Sequence, residues 1–206
     1  MIVCYNKYTM KKTMPLTHHI IIFDTEYTAW PGSMKRNYNL PNEHRELVQI
    51  AALRLDTISW RVLSVFSVYI KPAINPILSP YFIRLTGITQ CTVDQHGLPF
   101  KQALRLFTKF VGDTSCYSFG FDARVLRKNC RLLSIPYPLA PRQCHDIRRY
   151  FISYGIPAKK YTSGTIVKAF GRTKSRQAHN ALNDCRTIVD GLKLLNKMKS
   201  DEKINI

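Results

Sequence analysis

The stretch His19-Ile20-Ile21-Ile22-Phe23-Asp24-Thr25-Glu26 decides the fold. Its first five residues form a nearly continuous apolar run, the pattern of a strand buried on both faces in the middle of a sheet. The run ends in acid. Residues two apart on a strand share a face, so Asp24 and Glu26 project side by side, about 7 Å apart along the chain. Carboxylates at the edge of a core are costly unless compensated, yet no Lys or Arg occurs from His18 to Ser33. The compensation must be long-range or a bound cation. An isolated Asp-x-Glu is more often a pair of exposed strand-end acids; the apolar run before it makes this one a candidate site.

Outward from this strand, residues 27–46 carry Trp30, Lys35, Arg36 and Tyr38 with neither helix nor strand period and read as a long polar loop. Residues 48–55 and 61–70 are rich in Val, Ile, Leu and aromatics, separated by Asp56-Thr57-Ile58-Ser59, which predicts a hairpin. Ser79-Pro80 supplies an N-cap and an N1 proline, and Gly87 a C′ residue, so a short helix spans 80–86. A longer helix is predicted over 100–111, a fourth strand over 114–119, and a helix from Asp122 toward Leu133, halted by Pro136. Short helical segments follow at about 145–154 and 164–170. A last helix over about 181–198 places Ala181, Cys185, Ile188, Val189, Leu192 and Leu195 on one stripe. The order is that of one α/β domain over 19–199, with a polar leader (1–18) expected to be flexible and a short tail (200–206).

The chain has 206 residues, 45% of them hydrophobic, with 9 Gly and 11 Pro, which suits a packed core and excludes collagen-like and disordered classes. Lys and Arg number 31 against 13 Asp and Glu, a net charge of +18. Residues 1–100 account for +4 and residues 101–206 for +14. Any single basic residue is best read as solvated surface, but the total favours an anionic partner, nucleic acid ahead of a membrane. No apolar run is long enough to span a bilayer, and the basic last helix carries a stripe suited to a core rather than to lipid. The six cysteines lack any short paired spacing, so they are read as reduced thiols of an intracellular, cytoplasmic protein.

Three further residues complete a pattern. Asp122 follows a strand and opens a helix, where its ordinary role is an N-cap. Asp184 lies about 80° from the centre of the apolar stripe, half buried at its margin, or else paired with Arg176 or Arg186. His179, five residues earlier, would face about 140° away on a continuous helix. The two converge only if His179 sits in the turn before the helix, with Asn180 as the cap. Several convergent carboxylates bind hard cations such as Mg²⁺ or Mn²⁺, two of which stabilise an in-line displacement at phosphorus; a nearby neutral imidazole can act as general base.

On these residues the chain resembles a family. Phe23-Asp24-Thr25-Glu26, then Ser118-Phe119-Gly120-Phe121-Asp122, then His179-x4-Asp184 are similar to the three motifs of the DEDDh (DnaQ-like) 3′-to-5′ exonucleases, in order, and Leu85-Thr86-Gly87-Ile88-Thr89 resembles a stretch between the first two. The resemblance covers about residues 19–195 and leans toward the stand-alone Eri1/KapD-like branch. It implies an RNase H-like fold, a mixed five-stranded sheet flanked by helices, and a two-metal site using Mg²⁺ or Mn²⁺. In it Asp24 would bridge both ions, Glu26 and Asp184 would complete the coordination of the first ion, Asp122 would hold the second, partly through water, and His179 would be the base. Thr25 and Tyr27 would lie against the 3′-terminal nucleotide of a single-stranded RNA or DNA end. The tyrosine subclass would need Tyr at 180, where Asn180 stands. In the loop, Trp30 and Tyr38 could stack on bases while Lys35 and Arg36 hold phosphates. A non-catalytic nucleic-acid-binding module on the same fold is the alternative, opposed by the survival of all five site residues. The pair His145-Asp146 is better read as a helix start than as a metal site.

Overall fold

The computed structural model describes residues 16–173 and 176–204, without the side chains of 202–204. Residues 1–15 of the expected leader and 205–206 of the expected tail lie outside the described residues. The deciding stretch forms β1 (His19–Tyr27), with Ile20 to Phe23 fully buried. At about 1.5–3 kcal/mol per fully buried apolar side chain, these four anchor the strand against the cost of the acids at its end. The hairpin follows as β2 (Leu47–Asp56) and β3 (Val62–Lys71), antiparallel to β1 and to each other in that order. Asp56 closes its turn by accepting the amides of Ile58 and Ser59.

The next elements are α1 (Pro80–Thr86), α2 (Gln90–His96), β4 (Gly97–Pro99), α3 (Phe100–Val111), β5 (Cys116–Ser118) and α4 (Asp122–Leu132). Ser79 caps α1 by accepting the amide of Phe82, and Gly87 ends it with φ of 75°. After α4 come β6 (Cys144–Asp146), α5 (Arg148–Ser153), 3₁₀ segments Ala158–Lys160 and Ser163–Phe170, and α6 (Ala181–Ile204). The sheet is mixed, as expected, but among the described residues it holds six strands in the order β4-β3-β2-β1-β5-β6 instead of five. The difference lies in β4 and β6, three residues each, too short to show alternation in sequence. β6 occupies the beginning of the segment expected to be helical from 145. The 164–170 helix is 3₁₀, and α6 runs past the expected end near Met198.

β1 sits at the centre, paired antiparallel with β2 and parallel with β5. On one face Ile20, Ile22, Leu53 and Tyr117 pack with α5, the second 3₁₀ segment and α6; on the other Ile21, Phe23 and Ile50 pack with α3 and α4. With helices on both faces, the buried acids Asp24 and Glu26 lie at the carboxyl end of β1.

Candidate active site

At that end Asp24 and Glu26 are 5% and 8% exposed, and Asp184, one turn into α6, is 4% exposed. One ligand oxygen from each lies within 4.8 Å of the other two. The strand alternation that placed the first two on one face is thus met by a helix from the far end of the chain. The turn before α6 sets this up as the spacing required. Asn180 caps the helix by accepting the amide of Asn183 at 3.2 Å, and the amide of Ala181 donates to Gln49 of β2 at 3.1 Å. His179 stands outside the helix with φ of 59° and lines the same cavity, its imidazole exposed at the mouth.

Asp184 is held from a second side. Ser163 donates its hydroxyl to Asp184 Oδ2 at 2.9 Å, and Gly164 passes so close that a Cβ there would fall 2.6 Å from Oδ1. Asp122 begins α4 but does not cap it. Its Oδ1 instead accepts both the amide of Thr25 at 3.2 Å and the Thr25 hydroxyl at 2.7 Å. The ordinary capping role is set aside because the carboxylate faces the strand, with Phe121 in the cap position.

Four acids in one buried place repel. Burial, then the neighbouring Asp122, Asp184 and Glu26, push Asp24 well above the usual carboxylate range, and burial with Asp184 and Asp122 does the same to Glu26. Asp122 is pushed up to about 6, mainly by burial, with the Thr25 hydrogen bonds opposing. Among the described residues, no Lys or Arg forms an ion pair with Asp24, Glu26 or Asp122. A set of hard carboxylate oxygens this close, short of positive charge, fits a divalent cation of the Mg²⁺ or Mn²⁺ type. Asp24, Glu26 and Asp184 would hold it, with Asp122 alongside.

The cavity over the cluster measures about 340 Å³ and is walled by Tyr27, Met34, Tyr38, Tyr81, Leu85, Phe119 and Phe121, among others. Tyr27 and Tyr38 hold the Arg45 guanidinium between them, 5.3 and 4.2 Å from the ring centres. Thr25 lines the cavity too, but its two donors are committed to Asp122. Trp30, Lys35 and Arg36 are not brought to the cavity. Arg36 is instead engaged by the Glu43 carboxylate and by Pro31 O, so it fastens the loop. Asp146 takes the Arg148 amide and guanidinium, which leaves His145-Asp146 a strand end beside a helix start. Sequence reasoning missed Ser163, Met34, Tyr81 and the cavity role of Phe119 and Phe121. Only the two phenylalanines had a signal, their place in the motif around Asp122.

A mixed sheet with helices on both faces and buried acids at the end of its central strand defines an RNase H-like nuclease. The chain matches the RNase_T exonuclease family over residues 21–192 and belongs to it; within it, this is a DEDDh protein of the Eri1-like branch. Human 3′-5′ exoribonuclease 1 is 28% identical over 181 residues, 82% of this chain and 50% of that protein. Human ERI1 exoribonuclease 2 is 33% identical over 100 residues, 48% of this chain and 14% of that protein. The chain therefore spans half or less of the length of these relatives. Among solved structures, the nuclease domain of 3′hExo, a DEDDh family member bound to rAMP, superimposes with a TM-score of 0.75 at 26% identity, covering 89% of this chain and 92% of that one. Cell-death related nuclease 4 shares the fold, with a TM-score of 0.71 at 19% identity over 88% of this chain and 64% of that one.

Proposed function

We propose that this chain, through a domain spanning 19–199, hydrolyses phosphodiester bonds from the 3′ ends of single-stranded or frayed RNA or DNA and releases nucleoside 5′-monophosphates. The observation that carries this reading is the convergence of Asp24, Glu26 and Asp184 within 4.8 Å, with Asp122 fixed beside them and His179 at the mouth. Two Mg²⁺ or Mn²⁺ ions held by these carboxylates would neutralise charge on the phosphate and lower the pKa of the attacking water. His179, at the cavity's mouth, would take the proton of that water as general base. The two Thr25 donors favour the ionised form of Asp122 against its burial and fix its direction.

The cavity of about 340 Å³ is of a size to take a terminal nucleotide. Its aromatic walls, Tyr27 among them, suit a base. The relatives are named exoribonucleases, which supports RNA as the first substrate to test. The five described cysteines are free, in keeping with a reducing, cytoplasmic setting, and no helix among the described residues is long and apolar enough to cross a membrane.

Matched RNA and DNA strands labelled at the 5′ end, incubated with Mg²⁺ or Mn²⁺ and with a chelator as control, test the proposal. The expected result is a ladder shortened one nucleotide at a time, with 5′-monophosphates as product. Tight binding with no release at high protein concentration would make the non-catalytic binding module the correct reading.

A further inference from the structure

A strand that threads its 3′ end into the cavity must lie on something outside it. The inference that follows rests on the exonuclease reading and concerns where the rest of the strand goes. α4 starts at Asp122 in the acidic cluster, and Arg124, Arg127, Lys128 and Arg131 are exposed along it. Spacings of three, four and seven residues put these cations on one stripe. Apart from Asp122 the helix has no acid, so like charges repel along it with nothing on the same helix to offset them. From Arg124 to Arg131 the stripe runs about 10 Å along the helix, away from the end that bears Asp122.

Arg127 is steadied by Tyr137, with its guanidinium 4.7 Å from the ring centre. Past that ring, residues 135–138 and α3 enclose a groove of about 810 Å³, with Leu104, Ile135, Pro136 and Pro138 along it and Lys101, Arg105 and Lys109 among its lining residues. The three cations are spaced one turn apart on α3, and no acidic side chain lines the groove among the described residues. None of the seven cations forms an ion pair among the described residues.

We propose that the nucleic-acid strand on the 5′ side of the cleaved bond runs from the cavity along the α4 stripe and into the α3 groove, phosphates on the cations and bases toward the apolar wall. An acidic protein would satisfy the charge alone. Nucleic acid is favoured because the Arg124 guanidinium lies 5.6 Å from the ring centre of Phe121, a wall of the cavity, so the stripe begins at the cavity's rim and the same strand reaches both places.

The test compares two triple variants of equal charge change. One is Arg124→Gln, Lys128→Gln and Arg131→Gln on α4; the other is Lys159→Gln, Lys160→Gln and Lys168→Gln, exposed residues in the 3₁₀ segments on the opposite side of the sheet. Binding of a labelled poly-uridylate strand is followed without divalent metal across a range of salt. The α4 variant should flatten the slope of log affinity against log salt by about 2, at about 0.7 for each phosphate no longer neutralised, and the control set should not. The ratio of kcat/KM for the long strand to that for a dinucleotide should fall at least about tenfold. Equal flattening in both sets would mean general attraction, and an intact slope in the α4 variant would assign the stripe to another anionic partner; either overturns the path. Should the unmodified protein bind but release nothing, the exonuclease reading fails while the slopes still decide the path.

Discussion

Thr25 and Asp122, 97 residues apart in the chain, are joined twice through one atom: the amide and the hydroxyl of Thr25 both donate to Oδ1 of Asp122. The residue between two acids of β1 thereby holds the third, which belongs to another motif. Since these bonds pull the Asp122 pKa down against burial, removing the hydroxyl raises it. For Thr25→Val, the acid limb of the pH-rate profile should move to higher pH, and the rate at pH 6 should fall more than the rate at pH 8. Thr25→Ser, which keeps the donor, should retain the original limb. Coincident profiles for all three proteins would remove Thr25 from this role.

The same repulsion gives the metal-free protein an unusual pH dependence. Asp24, Glu26 and Asp122 have folded-state pKa values raised above their unfolded ones, so between the unfolded range near 4 and the folded values the native state binds more protons. Stability from these groups is therefore fully present below about pH 4 and is lost as pH rises, through about 6 for Asp122 and through the raised values of Asp24 and Glu26. The metal-free protein should melt at a lower temperature at pH 7.5 than at pH 5.5, and Mn²⁺ should restore the difference. Asp24→Asn removes one charge from the cluster, so it should raise the metal-free melting temperature at pH 7.5 while abolishing cleavage. A variant that is less stable at that pH would contradict the account of an uncompensated cluster.

His179 projects from a left-handed turn and packs into no core cluster, so its removal should cost little stability. His179→Ala should lower kcat by roughly 10²- to 10⁴-fold with KM little changed. Full activity would assign the proton to another acceptor.

The parts of the fold that could be read in advance are those whose signal is local. The apolar run of β1, the Ser79-Pro80 and Gly87 boundaries of α1 and the stripe of α6 all depend on neighbours within a few residues. The need for His179 to leave the helix was legible too, because 100° per residue forbids the alternative. What escaped was made by distant pairing. β4 exists because Gly97 to Pro99 meet Tyr69 to Lys71, and α2 starts from a Thr89 cap on a segment whose β-branched residues give little helical period. Arg36 looked like a phosphate ligand because Glu43, its partner, is seven residues away in a loop without a period. The cavity wall draws Tyr81 from α1 and Tyr38 from the loop, a meeting that no spacing in the chain encodes.

Gly164 offers the sharpest steric test of the cluster. Its hypothetical Cβ would lie 2.6 Å from Asp184 Oδ1 and 3.0 Å from the Cβ of Ala178, both below ordinary contact. The neighbours are a buried carboxylate and a methyl group on the turn leading to His179, so neither has a flexible end to swing aside. Gly164→Ala should push Asp184 away from Asp24 and Glu26, weakening Mn²⁺ affinity, read by the metal's own paramagnetic signal, and lowering kcat. Ser163→Ala leaves the backbone in place and deletes only the hydroxyl that orients Oδ2, so its loss should be the smaller and should be partly recovered at high metal, whereas Ser163→Thr should keep the bond. If Gly164→Ala binds Mn²⁺ as tightly as the unmodified protein, the 3₁₀ segment does not set the position of Asp184 and the close approach is incidental packing.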